Sequence, residues 1–324
     1  MKLQVRCLPT LVLIVAAAVT AAATGQSYPD RPLRVVVPSP PGGGIDLMGR
    51  ILAQKLTDSL GKPVVVENRG GAGGNIGTEL VARASRDGYT LLIAGSQLVA
   101  NPSLYSKISF DPVKDFDPIG LAALAPNILV VHPSLAAKSV REFIALAKKE
   151  PGQIGFAGAG PGSTPHLAGE LFNIVAGVSM VHVPYRGTGP ATIGLLAGEV
   201  GSMFMVATAA MPYIKAGRLR ALGVTTATRL PSMTDLPTIA ESGLPGYESM
   251  QWYGLLAPAA TPEKVLSLLN AQVAGIIRNP EMQQWLVNNG AIPVGGTRQQ
   301  FASHIKSEIV KWAAVIKTSG ARAD

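Results

Sequence analysis

Short apolar runs alternate with longer stretches of helical spacing along most of the chain. Leu33–Val37, Val64–Glu67, Thr90–Ala94, Ile128–His132, Ile154–Ala157, Met180–Pro184, Ser202–Val206, Leu219–Thr225 and Trp252–Ala257 read as strands. Their near-continuous apolar character implies burial on both faces. Between them, apolar residues recur on one helical face, as at Met48, Leu52 and Leu56. That alternation predicts an α/β fold with mostly parallel sheets.

Helix ends are marked as clearly as helix faces. Ser139-Val-Arg-Glu142 and Thr297-Arg-Gln-Gln300 spell capping boxes. Pro165, Pro190, Pro262 and Pro280 sit in first helical turns, and Gly198, Gly217 and Gly290 are placed to end the helices before them. Two segments break the rhythm: Lys107–Pro126, and the Pro- and Gly-rich Arg229–Glu248. A lobe that the chain leaves and later re-enters accounts for both. The expectation is a discontinuous first lobe (26–125 and 250–324), a continuous second lobe (126–249) and a cleft between them.

The first 25 residues follow another pattern. Lys2 and Arg6 precede an apolar run from Leu8 to Ala23 that ends in small residues. This reads as a secretory signal peptide over 1–25, too short to serve as a membrane span. The single cysteine, Cys7, falls inside it and ahead of its apolar core. A mature periplasmic chain without thiol, disulfide or lipid anchor is expected.

Charge narrows the partner class only slightly. The formal net charge of +8 falls to +6 without Lys2 and Arg6. The bases are scattered and aromatics make up 5% of the chain, so no stacking platform for nucleic acid is expected. A mild positive field suits a small anion.

Five strand-to-helix turns built of Gly and small polar residues are the candidate chemistry. The first, Val37–Asp46, contains Pro41, Gly42, Gly43, Gly44 and Asp46, and opens a helix. Such a turn presents backbone N–H groups at a helix N-terminus, where anions bind. Asp46 there would cap its own helix and repel an anion brought very close. The second turn carries Gly162, Ser163, Thr164 and His166; the third carries Tyr185 and Thr188. Asn68–Asn75 and the turn at Ser96 complete the set. Ligands of open α/β sheets bind at such carboxyl ends of strands.

Catalytic readings fail one after another. Ser163 stands where a third Gly would complete G-x-G-x-x-G, and Gly61-Lys62 runs into Pro63 instead of a Walker A Ser or Thr. Ser59-Leu-Gly-Lys62 lacks the companion motifs of S-x-x-K enzymes, and no G-x-S-x-G elbow occurs. His132, His166, His182 and His304 show no metal-ligand spacing. No enzyme, metal or cofactor is expected.

The motifs in order resemble the Bug-type extracytoplasmic solute receptors of tripartite tricarboxylate transporters. They include Pro38–Asp46, Glu67–Asn75, Asp87-Gly-Tyr-Thr-Leu91, His182-Val-Pro-Tyr-Arg-Gly187, Leu236–Glu241 and Trp252-Tyr-Gly-Leu-Leu-Ala-Pro258. The resemblance implies a type II periplasmic-binding-protein fold: two α/β lobes with a closing cleft. It implies a monomer that takes a small carboxylate to a membrane permease, or that docks on a membrane sensor in its place. It places Gly42, Gly43, Gly44 and Asp46 on one wall, facing Ser163, His166, Tyr185 and Thr188. The chain departs from relatives at Ser39, Ile45 and Met205, the last where Asp is usual. An apolar or aromatic acid is the ligand this departure favours.

Overall fold

The computed structural model describes residues 28–231 and 233–323. The leader expected at 1–25, with Cys7, lies outside them. The strands are β1 (Leu33–Val37), β2 (Val64–Asn68), β3 (Thr90–Ala94), β4 (Phe116–Val131), β5 (Gly155–Gly158), β6 (Val181–Pro184), β7 (Ser202–Val206), β8 (Arg220–Val224), β9 (Met250–Pro258) and β10 (Ile292–Pro293). The helices are α1 (Gly44–Leu60), α2 (Asn75–Ala82), α3 (Ser96–Leu104), α4 (Val140–Lys149), α5 (Thr164–Ala176), α6 (Thr188–Ala197), α7 (Ala207–Lys215), α8 (Glu263–Arg278), α9 (Pro280–Asn288) and α10 (Arg298–Ser319).

The strands run in the order β2-β1-β3-β9-β4-β7-β5-β6, with β8 and β10 also on β4. Each half is parallel within itself: β1 with β2 and β3, β5 with β6 and β7. The long β4 joins them. Its first part pairs antiparallel with β9 as far as Pro126↔Met250, and its second part pairs with β7 from Asn127↔Val206 onward. The strand changes partners between Pro126 and Asn127, where a residue without an N–H costs the ladder least.

One expectation is corrected here. The tail of Lys107–Pro126 is not an irregular crossing but the first half of β4. Its prolines disguised it, and the ladder tolerates them through register shifts between Pro118 and Gly120 and between Leu121 and Ala123.

Both faces of the inner strands are buried, which is why they read as unbroken apolar runs, whereas the edge strands β2 and β6 are partly exposed, at Val65 and Val181 among others. In the first lobe Val35, Ile93 and Leu255 pack on Leu52 and Leu269, while Leu92, Trp252 and Leu256 pack on Leu98 and Trp312. In the second, Leu129, Phe156 and Phe204 pack on Phe143 and Phe172, and Ile128 and Met203 pack on Leu195. Truncating one such Phe to Ala costs about 3–5 kcal/mol. Among the expected caps, Thr297 and Gln300 form the full reciprocal box, whereas Glu142 reaches the Lys138 N–H instead of that of Ser139.

Candidate ligand cleft

The lobes meet at the carboxyl ends of their parallel strands. Ser96, opening α3 after β3, and Thr164, opening α5 after β5, stand with their hydroxyl oxygens 3.0 Å apart. Gln251, near the start of β9, is their common acceptor. Its Oε1 takes the Ser96 N–H at 3.1 Å, the Thr164 hydroxyl at 3.1 Å and the Trp252 N–H at 3.2 Å. Ser96 and Thr164 are both buried, so their hydroxyls are spent holding lobe to lobe. Gly162 approaches the first lobe so closely that a Cβ on it would stand 2.6 Å from Asn101 Oδ1. Its φ of +71° adds a second reason for Gly there.

The first-lobe loop is braced by charge. Gly43 caps α1 without a side chain, so the N–H groups of Gly44, Ile45 and Asp46 have no partner within the helix. The Asp46 carboxylate turns back and accepts the Gly42 N–H at 2.9 Å, the Arg50 guanidinium at 3.1 Å and the Asn68 amide at 2.8 Å. Burial opposes its ionisation, but Arg50, Gly42 and Asn68 outweigh it and hold the carboxyl below the usual range. Its charge is therefore matched locally, which removes most of the repulsion expected toward an anion. Pro41, Gly42 and Gly44 are exposed. Beside them, Tyr253 is buried, and a Cβ on Gly44 would lie 2.5 Å from its hydroxyl oxygen. That hydroxyl has no hydrogen-bond partner among the described residues. A donor next to unspent helix N–H groups suits a carboxylate.

The second-lobe loop is braced by neutral groups. Ser163 does not cap α5; its Oγ accepts the Ala159 N–H at 3.1 Å and closes the loop on itself. His166 is buried, accepts the Gly162 N–H on Nδ1 at 3.2 Å, and stacks on His182 with ring centroids 3.9 Å apart. Burial, then the neighbouring His182, pushes His166 down to about 3, and burial pushes His182 down to about 4. Glu170 lies 3.6 Å from His166 Nε2, but burial raises its pKa. Acid and imidazole both shift toward neutrality, so the contact is not an ion pair. These rings hold the loop from beneath and carry no nucleophile.

The remaining candidates are placed less directly. Thr188 opens α6 behind Gly187. Tyr185 folds onto α6, over Gly194, with its hydroxyl 3.5 Å from Glu199. Met205 sits in the apolar cluster with Ile128 and Leu195, inside the lobe instead of on its surface. Among the described residues no group of His, Cys, Asp and Glu is arranged to hold a metal ion. No described helix is long and apolar enough to cross a membrane.

Residues 48–321 match the family described as tripartite tricarboxylate transporter family receptor. The chain belongs to that family. It is 37% identical to protein BugT of Bordetella pertussis over 313 residues, 96% of each chain. The R. palustris protein solved with adipate has a TM-score of 0.85 and 38% identity, covering 90% of this receptor and 98% of that chain. MatC from Rhodopseudomonas palustris, with bound malate, has a TM-score of 0.82 and 32% identity, covering 89% and 100%. The Bug-type resemblance and the two-lobed α/β fold stand.

Sequence reading passed over Gln251, Tyr253 and Arg50 as site residues, and named Asn68 only as the start of the fourth turn, not as a partner of Asp46. Gln251 did carry a signal: it is a polar residue heading an otherwise apolar strand. Tyr253 was hidden within that strand as one more aromatic.

Proposed function

We propose that this receptor is exported to the periplasm, where it works as a monomer with lobes 26–125 plus 250–324 and 126–249. It closes on a small carboxylate and presents it to the membrane permease of a tripartite tricarboxylate transporter, catalysing nothing. The observation that carries this reading is the Gly42–Asp46 loop: unspent N–H groups at the start of α1 beside the unpartnered Tyr253 hydroxyl. Ligand-driven closure draws the second-lobe loops toward it, and affinity then reflects how much better the closed state holds the ligand than the open one does. The relatives solved with adipate and with malate support the class, both being small dicarboxylates.

Within that class, an acid with an apolar body is the better ligand. Met205 stands where the resemblance expects Asp and is buried among apolar neighbours inside the second lobe, so that lobe holds no carboxylate behind its loops at that position to organise a hydroxyl-rich acid. A thermal-shift series with adipate, benzoate, malate and citrate tests both levels. A ligand at 100 times its Kd stabilises by about 2.7 kcal/mol. Adipate or benzoate should raise Tm more than citrate does. Citrate as the strongest stabiliser overturns the apolar preference; no shift with any organic acid overturns the carboxylate reading.

A further inference from the structure

Gln251 is held by its oxygen alone. Its Oε1 accepts the Ser96 N–H, the Thr164 hydroxyl and the Trp252 N–H, so the carboxamide fits only one way round. Turned over, its NH₂ group would face two backbone N–H donors. Because the Thr164 hydroxyl donates to Gln251, the Ser96 hydroxyl is left to donate to Thr164. Every proton of this network therefore points toward Oε1, and none of its bonds uses Nε2. An amide whose oxygen takes three donors has its own N–H groups polarised toward an acceptor.

That free end opens beside the cleft. Gln251 is part-buried, and its Nε2 is neither hydrogen-bonded nor enclosed among the described residues. It lies at the carboxyl end of β3, where a Cβ on Gly95 would stand 2.9 Å from it. The same Cβ would stand 3.0 Å from Oε1 of Gln97, a part-buried residue in the first turn of α3 that has no side-chain hydrogen bond among the described residues. The backbone does not require glycine at 95, since its φ of −150° is extended. Room for two carboxamides does. Two residues further along β9, Tyr253 leaves the same face of the strand and reaches Gly44 at the start of α1. The strand repeat sets these two positions about 7 Å apart.

We infer that Gln251, with Gln97 beside it, is the second anchor of the cleft and makes it selective for dicarboxylic acids. The inference rests on the carboxylate reading above. One carboxylate takes the N–H groups of α1 and the Tyr253 hydroxyl; the other accepts from Gln251 Nε2, with the apolar body between them. A neutral amide suits that end, because it donates while its own oxygen is already filled by the protein. The side chain that ties Ser96 to Thr164 thus also reads the far end of the ligand.

Calorimetric titration of the wild-type receptor with adipate, hexanoate and 6-hydroxyhexanoate tests this, since the three differ only at the far end. Adipate should bind about tenfold tighter than hexanoate, the worth of a hydrogen bond to a charged group. Gln251→Glu keeps an acceptor for Ser96, Thr164 and Trp252 but replaces the donor with a second oxygen. It should abolish the preference, taking the adipate-to-hexanoate affinity ratio to one or below. In a crystal structure with adipate, a carboxylate oxygen should lie about 3 Å from Nε2. Equal binding of adipate and hexanoate by the wild type, or tighter binding of the hydroxy acid than of adipate, would overturn the inference. So would equal weakening of both acids in Gln251→Glu, which a merely structural role gives, or bound adipate that does not touch Nε2. The crystal structure decides if Gln251→Glu does not fold. Binding of none of the three acids would overturn the carboxylate reading itself, and this inference with it.

Discussion

The Gly42–Asp46 loop and the Gly158–Thr164 loop look alike in sequence, yet they are held by opposite chemistry. The first is braced by an ionised carboxylate, a guanidinium and an amide, and leaves its helix N–H groups unspent. The second rests on two neutral imidazoles and spends its hydroxyls, on its own backbone at Ser163 and across the lobe boundary at Thr164. Gly-rich turns at strand ends are therefore not interchangeable parts. One leaves donors free beside a locally balanced charge, the feature on which the proposed anion seat rests; the other is tied across the lobes through Thr164.

Acid separates the two most strongly. His166 and His182 have folded pKa values near 3 and 4, below the ordinary value of 6.5. The unfolded chain therefore binds protons first as pH falls. The histidine contribution should be flat above pH 6.5, should decline from there toward pH 4, and should level off below the folded values, where protonation of the carboxylates held low, Asp46 among them, takes over the loss of stability. Each fully shifted histidine contributes about 1.4 kcal/mol per pH unit, and half-exposed His182 contributes less. Urea unfolding at pH 7, 6, 5 and 4 checks this. His182→Phe should flatten the decline, and an unchanged slope in that variant would break the contrast between the loops.

Asp46→Ala attacks the other brace. It strips the Gly42 N–H, Arg50 and Asn68 of their shared acceptor and should cost about 1.5–3 kcal/mol of stability, read from the denaturant midpoint. Asp46→Asn sharpens the point, since it keeps the shape and removes the charge. Thr164→Val removes a hydroxyl bonded across the lobes. It should cost about 1 kcal/mol in stability and shift the open–closed balance toward open, seen as a larger radius of gyration by small-angle scattering. Tyr253→Phe should be the mildest for the fold. Its hydroxyl makes no internal hydrogen bond, so stability should change by less than about 0.5 kcal/mol. Carboxylate affinity should fall about tenfold, the worth of one hydrogen bond to a charged group.

Much of this molecule was legible from its residues. The strands buried on both faces announced themselves as apolar runs, and each of the five Gly-rich turns joins a strand to a helix. Pro118 and Pro126 concealed half of β4, because local preference argues against a strand that bulges and a change of partner make possible. The contacts of Ser96, Thr164 and Gln251 join positions as much as 155 residues apart, and no local pattern encodes such a meeting. Asp46 read as a helix cap, whereas its carboxylate accepts the Gly42 N–H ahead of α1 and is balanced by Arg50 and Asn68, which had to be placed first. His166 looked like a ligand residue from its position in the first turn of α5; its stacking on His182 depends on how β5 and β6 pair.

The most direct test of the anion seat is calorimetric titration of adipate into wild-type receptor and into Gly44→Val. A valine there would drive its Cβ into the Tyr253 hydroxyl and cover the N–H groups at the start of α1. The account predicts one saturable site in the wild type and at least a hundredfold weaker binding in the folded variant. Equal affinity in the two proteins would contradict it.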